Sequence, residues 1–128
     1  MNMTYHASVW IDHREAKIFE ITASDATTSH VADERPQYHI HGKADHIDKG
    51  QVAMDRAMLD AVADKLKAAK GILIVGPGNA KTVFKSYLDE HRPEIGKNVW
   101  DVQPSDHPTG AQLVATARSW FHAQDRMH

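Results

Sequence analysis

The stretch Ile72-Leu73-Ile74-Val75-Gly76-Pro77-Gly78-Asn79-Ala80-Lys81-Thr82 constrains the fold more than any other. Four consecutive apolar residues, three of them β-branched, predict a strand buried on both faces, as in parallel sheets. Gly76-Pro77-Gly78 forces a turn, and Asn79 stands where a helix N-cap is expected. Val83, Phe84, Tyr87 and Leu88 then recur at helical spacing, and the helix must end near His91, before Pro93. A strand, a glycine turn and a helix start make up the repeating unit of α/β folds. That unit aims backbone N–H groups and a partial positive charge at one spot.

The rest of the chain supplies partners for this strand. Ala7 to Ile11 and Ala16 to Ile21 read as strands joined by the short turn Asp12-His13-Arg14, hence as an antiparallel hairpin. Ala26 to Val31, rich in threonine, reads as a third, edge-like strand. Asp33 to Lys49 is polar, contains Pro36 and Gly42, and predicts a long loop in which Gln37 to His41 can extend a strand. Asp48 and Gln51 have capping-box spacing, so a helix is expected from there to about Ala69, with Met58, Val62, Leu66 and Ala69 facing inward and Gly71 as its stop. Asn98 to Val102 reads as a strand. Thr109 and Gln112 form a second capping box, opening a last helix with Leu113, Val114, Ala117, Trp120 and Phe121 on its buried face.

The resulting order is β-β-β-loop-α-β-α-β-α. Short connections and right-handed crossovers turn it into a mixed five-stranded sheet with helices on both faces, the layout of the ribonuclease-H-like fold. A chain of 128 residues is expected to form one domain. The formal net charge of −2 gives no global basic field, so contact with RNA would need a local patch. There is no cysteine, which removes disulfide-linked partners and thiol chemistry. No apolar run approaches the roughly 20 residues of a membrane span, and no signal-peptide core opens the chain, so the cytoplasm is the expected location.

Several residue groups have both a chemical and a plainly structural reading. Gly76, Gly78, Asn79, Lys81 and Thr82 form a candidate anion cradle, in which helix N–H groups, an ammonium and a hydroxyl converge. The spacing from glycine to lysine is not that of a P-loop, and a tight strand-to-helix turn explains the same residues. Asp12 ends the first strand, where two-metal nucleases of this fold carry a carboxylate, but Asp101 and Asp106 are weak partners for it. The turn reading, with Asp12 bonding nearby backbone, is favoured and a nuclease is disfavoured. His39 and His41 share one face of an extended segment near His46, yet the loop has no cysteine to complete a structural zinc site. No metal and no cofactor is expected. Asp106 and His107 precede the last helix, but no serine in a nucleophile elbow accompanies them.

Val9 to Phe19, Ile72 to Thr82 and Asp106-His107-Pro108 together resemble the bacterial relatives of the middle domain of archaeo-eukaryotic peptide-chain release factors and Pelota. Small members of that group are labelled translational machinery proteins. The resemblance covers nearly the whole chain and implies a ribonuclease-H-like fold. In release factors this domain carries a Gly-Gly-Gln loop that helps water attack the peptidyl-tRNA ester. Here Gly50 and Gln51 match the last two residues of that motif, while Lys49 replaces its first glycine. The resemblance therefore implies a translation accessory protein that binds ribosome or tRNA and lacks codon-reading domains. Lys43, Lys49, Arg56 and Lys81 would meet phosphate, and His39, His41, His46 and Gln51 would approach the tRNA end. The alternatives are a small-anion or nucleotide-binding module, a homo-oligomer, and a peptidyl-tRNA esterase using Gln51.

Overall fold

A computed structural model describes residues 5–35 and 54–125. Its elements are β1 (Tyr5–Ile11), β2 (Glu15–Ile21), β3 (Ala26–Ala32), α1 (Arg56–Asp64), β4 (Ala69–Gly76), α2 (Ala80–His91), α3 (Pro93–Gly96), β5 (Val99–Pro104) and α4 (Gly110–Asp125). They form one five-stranded sheet of order β3-β2-β1-β4-β5. The first three strands pair antiparallel, and β1, β4 and β5 run parallel. This is the mixed sheet expected from the sequence.

Alternation along the central strands divides the apolar side chains between two cores. Val9, Ile11, Ile18, Ile72 and Ile74 point to one face, where Met58 and Val62 of α1 and Phe84 and Leu88 of α2 cover them. Trp10, Phe19, Ile21, Leu73 and Val75 point to the other, under Leu113, Ala117 and Phe121 of α4. Ile72 to Val75 is at most 6% exposed, which places this segment inside the sheet with a core on each side. Helices thus lie on both faces.

The local turns follow from side-chain chemistry. Asp12 Oδ1 accepts from the backbone N–H groups of Arg14 (2.8 Å) and Glu15 (2.9 Å), closing the first hairpin. The second capping box forms as expected: Gln112 N–H donates to Thr109 Oγ1 at 3.1 Å, and Thr109 N–H donates to Gln112 Oε1 at 2.8 Å.

The first helix departs from expectation. It begins at Arg56, with Asp55 as N-cap accepting from Ala57 N–H at 3.3 Å, and ends at Asp64. The Asp48–Gln51 capping box lies outside the described residues. Leu66 and Ala69 are buried as expected, but in a turn and at the start of β4. Lys65, Leu66 and Ala69 N–H groups donate three residues back, which tightens the chain out of the helix. Gly71 does not stop a helix; it lies within β4, where an added Cβ would stand 2.6 Å from the Trp100 indole. The site therefore needs glycine for close packing.

Arg92 fastens the helices over the first core. Its guanidinium reaches Asp60 (3.1 Å) and Asp64 (2.9 Å), one turn apart on α1, and Glu94 (3.4 Å) on α3. Tyr87 Oη donates to Asp60 at 2.5 Å, and the Arg56 guanidinium lies over the Tyr87 ring.

Candidate anion-binding edge of the sheet

In open α/β sheets, ligands bind outside the carboxyl ends of the parallel strands. Here those ends belong to β1, β4 and β5. They bring together Asp12 and His13, the Gly76–Asn79 turn, and the Ser105–His107 segment. Gly76 is the point of closest approach. Its φ is +155°, and a Cβ there would lie 2.2 Å from the Ile11 carbonyl oxygen. Its own carbonyl accepts from Ser105 N–H at 3.1 Å, tying the exit of β5 to the exit of β4. Gly78 follows in the left-handed region at φ +61° and carries the chain into α2.

The individual side chains are arranged differently from a converging cradle. Asn79 is the N-cap of α2, but its side chain makes no capping bond. Lys81 Nζ donates to the Gly78 carbonyl, so its charge is folded back over the turn. Thr82 is exposed, and its N–H donates to the Asn79 carbonyl at 3.0 Å. The turn reading therefore accounts for most of the geometry, with Lys81 and the exposed Gly78 and Asn79 left facing solvent at a helix start.

The carboxylates of this edge are used locally. Asp12 closes its hairpin. Asp101 accepts from its neighbour Val102 N–H and from Gln103 Nε2, both at 2.9 Å. Asp106 and His107 are exposed, and among the described residues no group of three or more His, Cys, Asp or Glu is placed to hold a metal ion. Gly50, Gln51, His39, His41, His46, Lys43 and Lys49 lie outside the described residues.

Trp10 is the organising residue that turn chemistry does not reveal. Only 2% exposed, it donates from Nε1 to the Asp106 carbonyl at 2.7 Å, and the His107 ring lies 5.1 Å away. On its other neighbour strand, Lys17 Nζ stands 5.3 Å from the ring centroid. The only sequence signal was a tryptophan at the end of an apolar strand.

Solved structures share this architecture. Pelota from Archaeoglobus fulgidus superposes with a TM-score of 0.60 at 20% identity, covering 92% of this chain and 32% of that one. The archaeal translation termination factor aRF1 gives 0.57 at 14% identity, covering 96% and 41%. A ribosome-bound archaeal Pelota, solved with ABCE1, gives 0.53 at 19% identity, covering 85% and 30%. The fold is that of a Pelota or aRF1 middle domain. It is ribonuclease-H-like, as the strand order implied. The chain spans between about a third and two fifths of the length of these proteins. No family model and no curated protein matches the sequence. Among the described residues no helix is long and apolar enough to cross a membrane.

Proposed function

We propose that this chain is a translation-associated accessory protein that binds the ribosome or tRNA. The observation that carries this reading is the Pelota-like sheet, with a glycine bend at its carboxyl edge where Gly76 is pressed against Ile11. One of the similar structures is itself a ribosome-bound Pelota, which supports the ribosome as the partner class. In this reading Lys81 and Arg56, both on helices covering the same core, meet phosphate together with Lys43 and Lys49. Gly50 and Gln51 are carried as the contacts to the tRNA end, with Lys49 in place of a glycine arguing for binding over ester hydrolysis.

Ribosome co-sedimentation at several salt concentrations tests this. Enrichment with ribosomes that falls as salt rises, and falls further in a Lys81→Gln, Arg56→Gln double variant, is the expected result. Equal sedimentation of both proteins at every salt concentration would sink the proposal. A labelled peptidyl-tRNA added to the same preparations reads the enzymatic alternative. Release abolished by Gln51→Ala would turn the assignment from accessory binding to hydrolysis.

A further inference from the structure

Helix α4 packs on β1 and β2, and its Arg118 reaches over the turn between β2 and β3. Between α4 and the β2–β3 hairpin lie two hollows, of about 790 and 520 Å³, with Ala115 and Arg118 in the wall of both. Both volumes fall in the range of small-molecule sites, about 300–1,000 Å³. Their inner surface is apolar: Ile21 and Phe121 in one, Phe19 and Val114 in the other. Their polar groups are hydroxyls and bases, among them Thr28, Ser119, Lys17 and Arg118, and among the described residues no acidic side chain lines either hollow. That is a local excess of positive charge in a chain of net charge −2.

Arg118 sits where the hollows meet. Its Nη2 donates to the carbonyls of Thr22 (3.3 Å) and Asp25 (3.0 Å), and both acceptors are uncharged main-chain groups. Its Nε is buried and has no hydrogen-bond partner among the described residues. Among the described residues no carboxylate forms an ion pair with Arg118 or with Lys17. Lys17 instead stands over the Trp10 ring. A guanidinium has five donors, and two carbonyls leave the Nη1 side for another acceptor. Two half-buried cations without counter-ions favour an anion beside them, because partial withdrawal from water strengthens the attraction.

We propose that this pair of hollows binds a small organic oxyanion with an apolar body. The head group, a phosphate or a carboxylate, meets Arg118 with Lys17 beside it, and the body lies along Phe19, Ile21 and Val114. This site is on the α4 face and does not depend on the translation reading or on the Gly76 edge.

The experiment is an NMR titration of the ¹⁵N-labelled protein with 1-naphthyl phosphate, 1-naphthoate and neutral 1-naphthol. Saturable shifts are expected at the amides of Thr22, Thr28, Ala115 and Arg118, with either anion binding more tightly than the naphthol. The tighter of the two anions identifies the head group. Lys17→Gln and Arg118→Gln should each weaken anion binding about tenfold, the loss expected on removing one charge-assisted contact. Lys17 is a partly exposed side chain on the sheet, so Lys17→Gln keeps the test valid if Arg118→Gln fails to fold. No saturable binding, shifts centred on the Gly76 turn, naphthol binding as tight as the anions, or unchanged affinity in Lys17→Gln would each overturn the proposal.

Discussion

The indole of Trp10 holds the main chain of Asp106 across 96 residues of sequence, Nε1 to carbonyl oxygen at 2.7 Å. This bond fixes the segment between β5 and α4 against the exit of β1. The Trp10–His107 ring contact, at 5.1 Å, joins the same two parts. Trp10→Phe keeps an aromatic ring and deletes the donor. The expected cost is about 1–3 kcal/mol, combining a lost hydrogen bond with a partly emptied core position. Urea unfolding checks the cost. Loss of the His107 ring contact, read as a shift of its imidazole NMR signals, shows that the loop has been released.

Gly76 and Gly78 are two residues apart and resist alanine for different reasons. At Gly76 the new methyl would meet a backbone oxygen, at 2.2 Å, within the paired sheet. Neither β1 nor β4 can give way without losing ladder bonds, so Gly76→Ala should cost about 3 kcal/mol or more. At Gly78 nothing stands within 4 Å, and only the left-handed backbone opposes the change. There the cost should be about 1–2 kcal/mol. Thermal unfolding of the two variants side by side decides it: equal losses would mean that the contact with Ile11 does not limit Gly76.

The strands and turns were legible because their causes are local. An Asp two or three residues before the N–H groups it accepts from, a Thr-x-x-Gln box and a four-residue apolar run carry their geometry with them. The end of α1 was not legible. Leu66 and Ala69 continue the inward stripe at helical spacing, so periodicity alone extends the helix. The sheet decides otherwise, since Ala69 to Gly71 pair with Tyr5 and His6 of β1, and that pairing overrides weak strand propensity. At the candidate site, the glycines could be read and the side-chain choices could not. Lys81 turns to the Gly78 carbonyl and Trp10 to Asp106, partners set by three-dimensional placement.

The second capping box gives a test confined to one helix end. Thr109 Oγ1 and Gln112 Oε1 satisfy each other's backbone N–H groups at the start of α4. Thr109→Ala removes one of the two acceptors and should cost about 1 kcal/mol. Gln112→Ala, on an exposed face, should cost less, because alanine regains helix propensity. Hydrogen exchange should quicken at the Gln112 amide in Thr109→Ala while the β4 amides keep their protection. Uniform quickening would show that α4 does not open on its own.

The contacts joining α1 to α2 give the protein a pH signature at both extremes. The Tyr87 hydroxyl, with Arg92 and Arg56 nearby, holds the Asp60 carboxyl below the usual carboxylate range. A lowered folded-state pKa means that the unfolded chain binds the proton more readily. The stabilisation is therefore complete above about pH 4, where the unfolded Asp is ionised, and is lost as pH falls through the folded pKa. Burial, then the bond to Asp60, pushes the Tyr87 hydroxyl above its ordinary value. Here the sign reverses: stability is complete below about pH 10 and is lost as pH rises through the folded pKa. Asp60→Asn should flatten the acid limb of a stability profile measured by urea unfolding, and Tyr87→Phe should flatten the alkaline limb. Tyr87→Phe should weaken the acid limb as well, because it removes the bond that does most to hold Asp60 low, whereas Asp60→Asn should leave most of the alkaline limb, which burial causes first. An acid limb unchanged in Asp60→Asn would place the acid sensitivity elsewhere, with the Asp33–Arg35 pair the next to test.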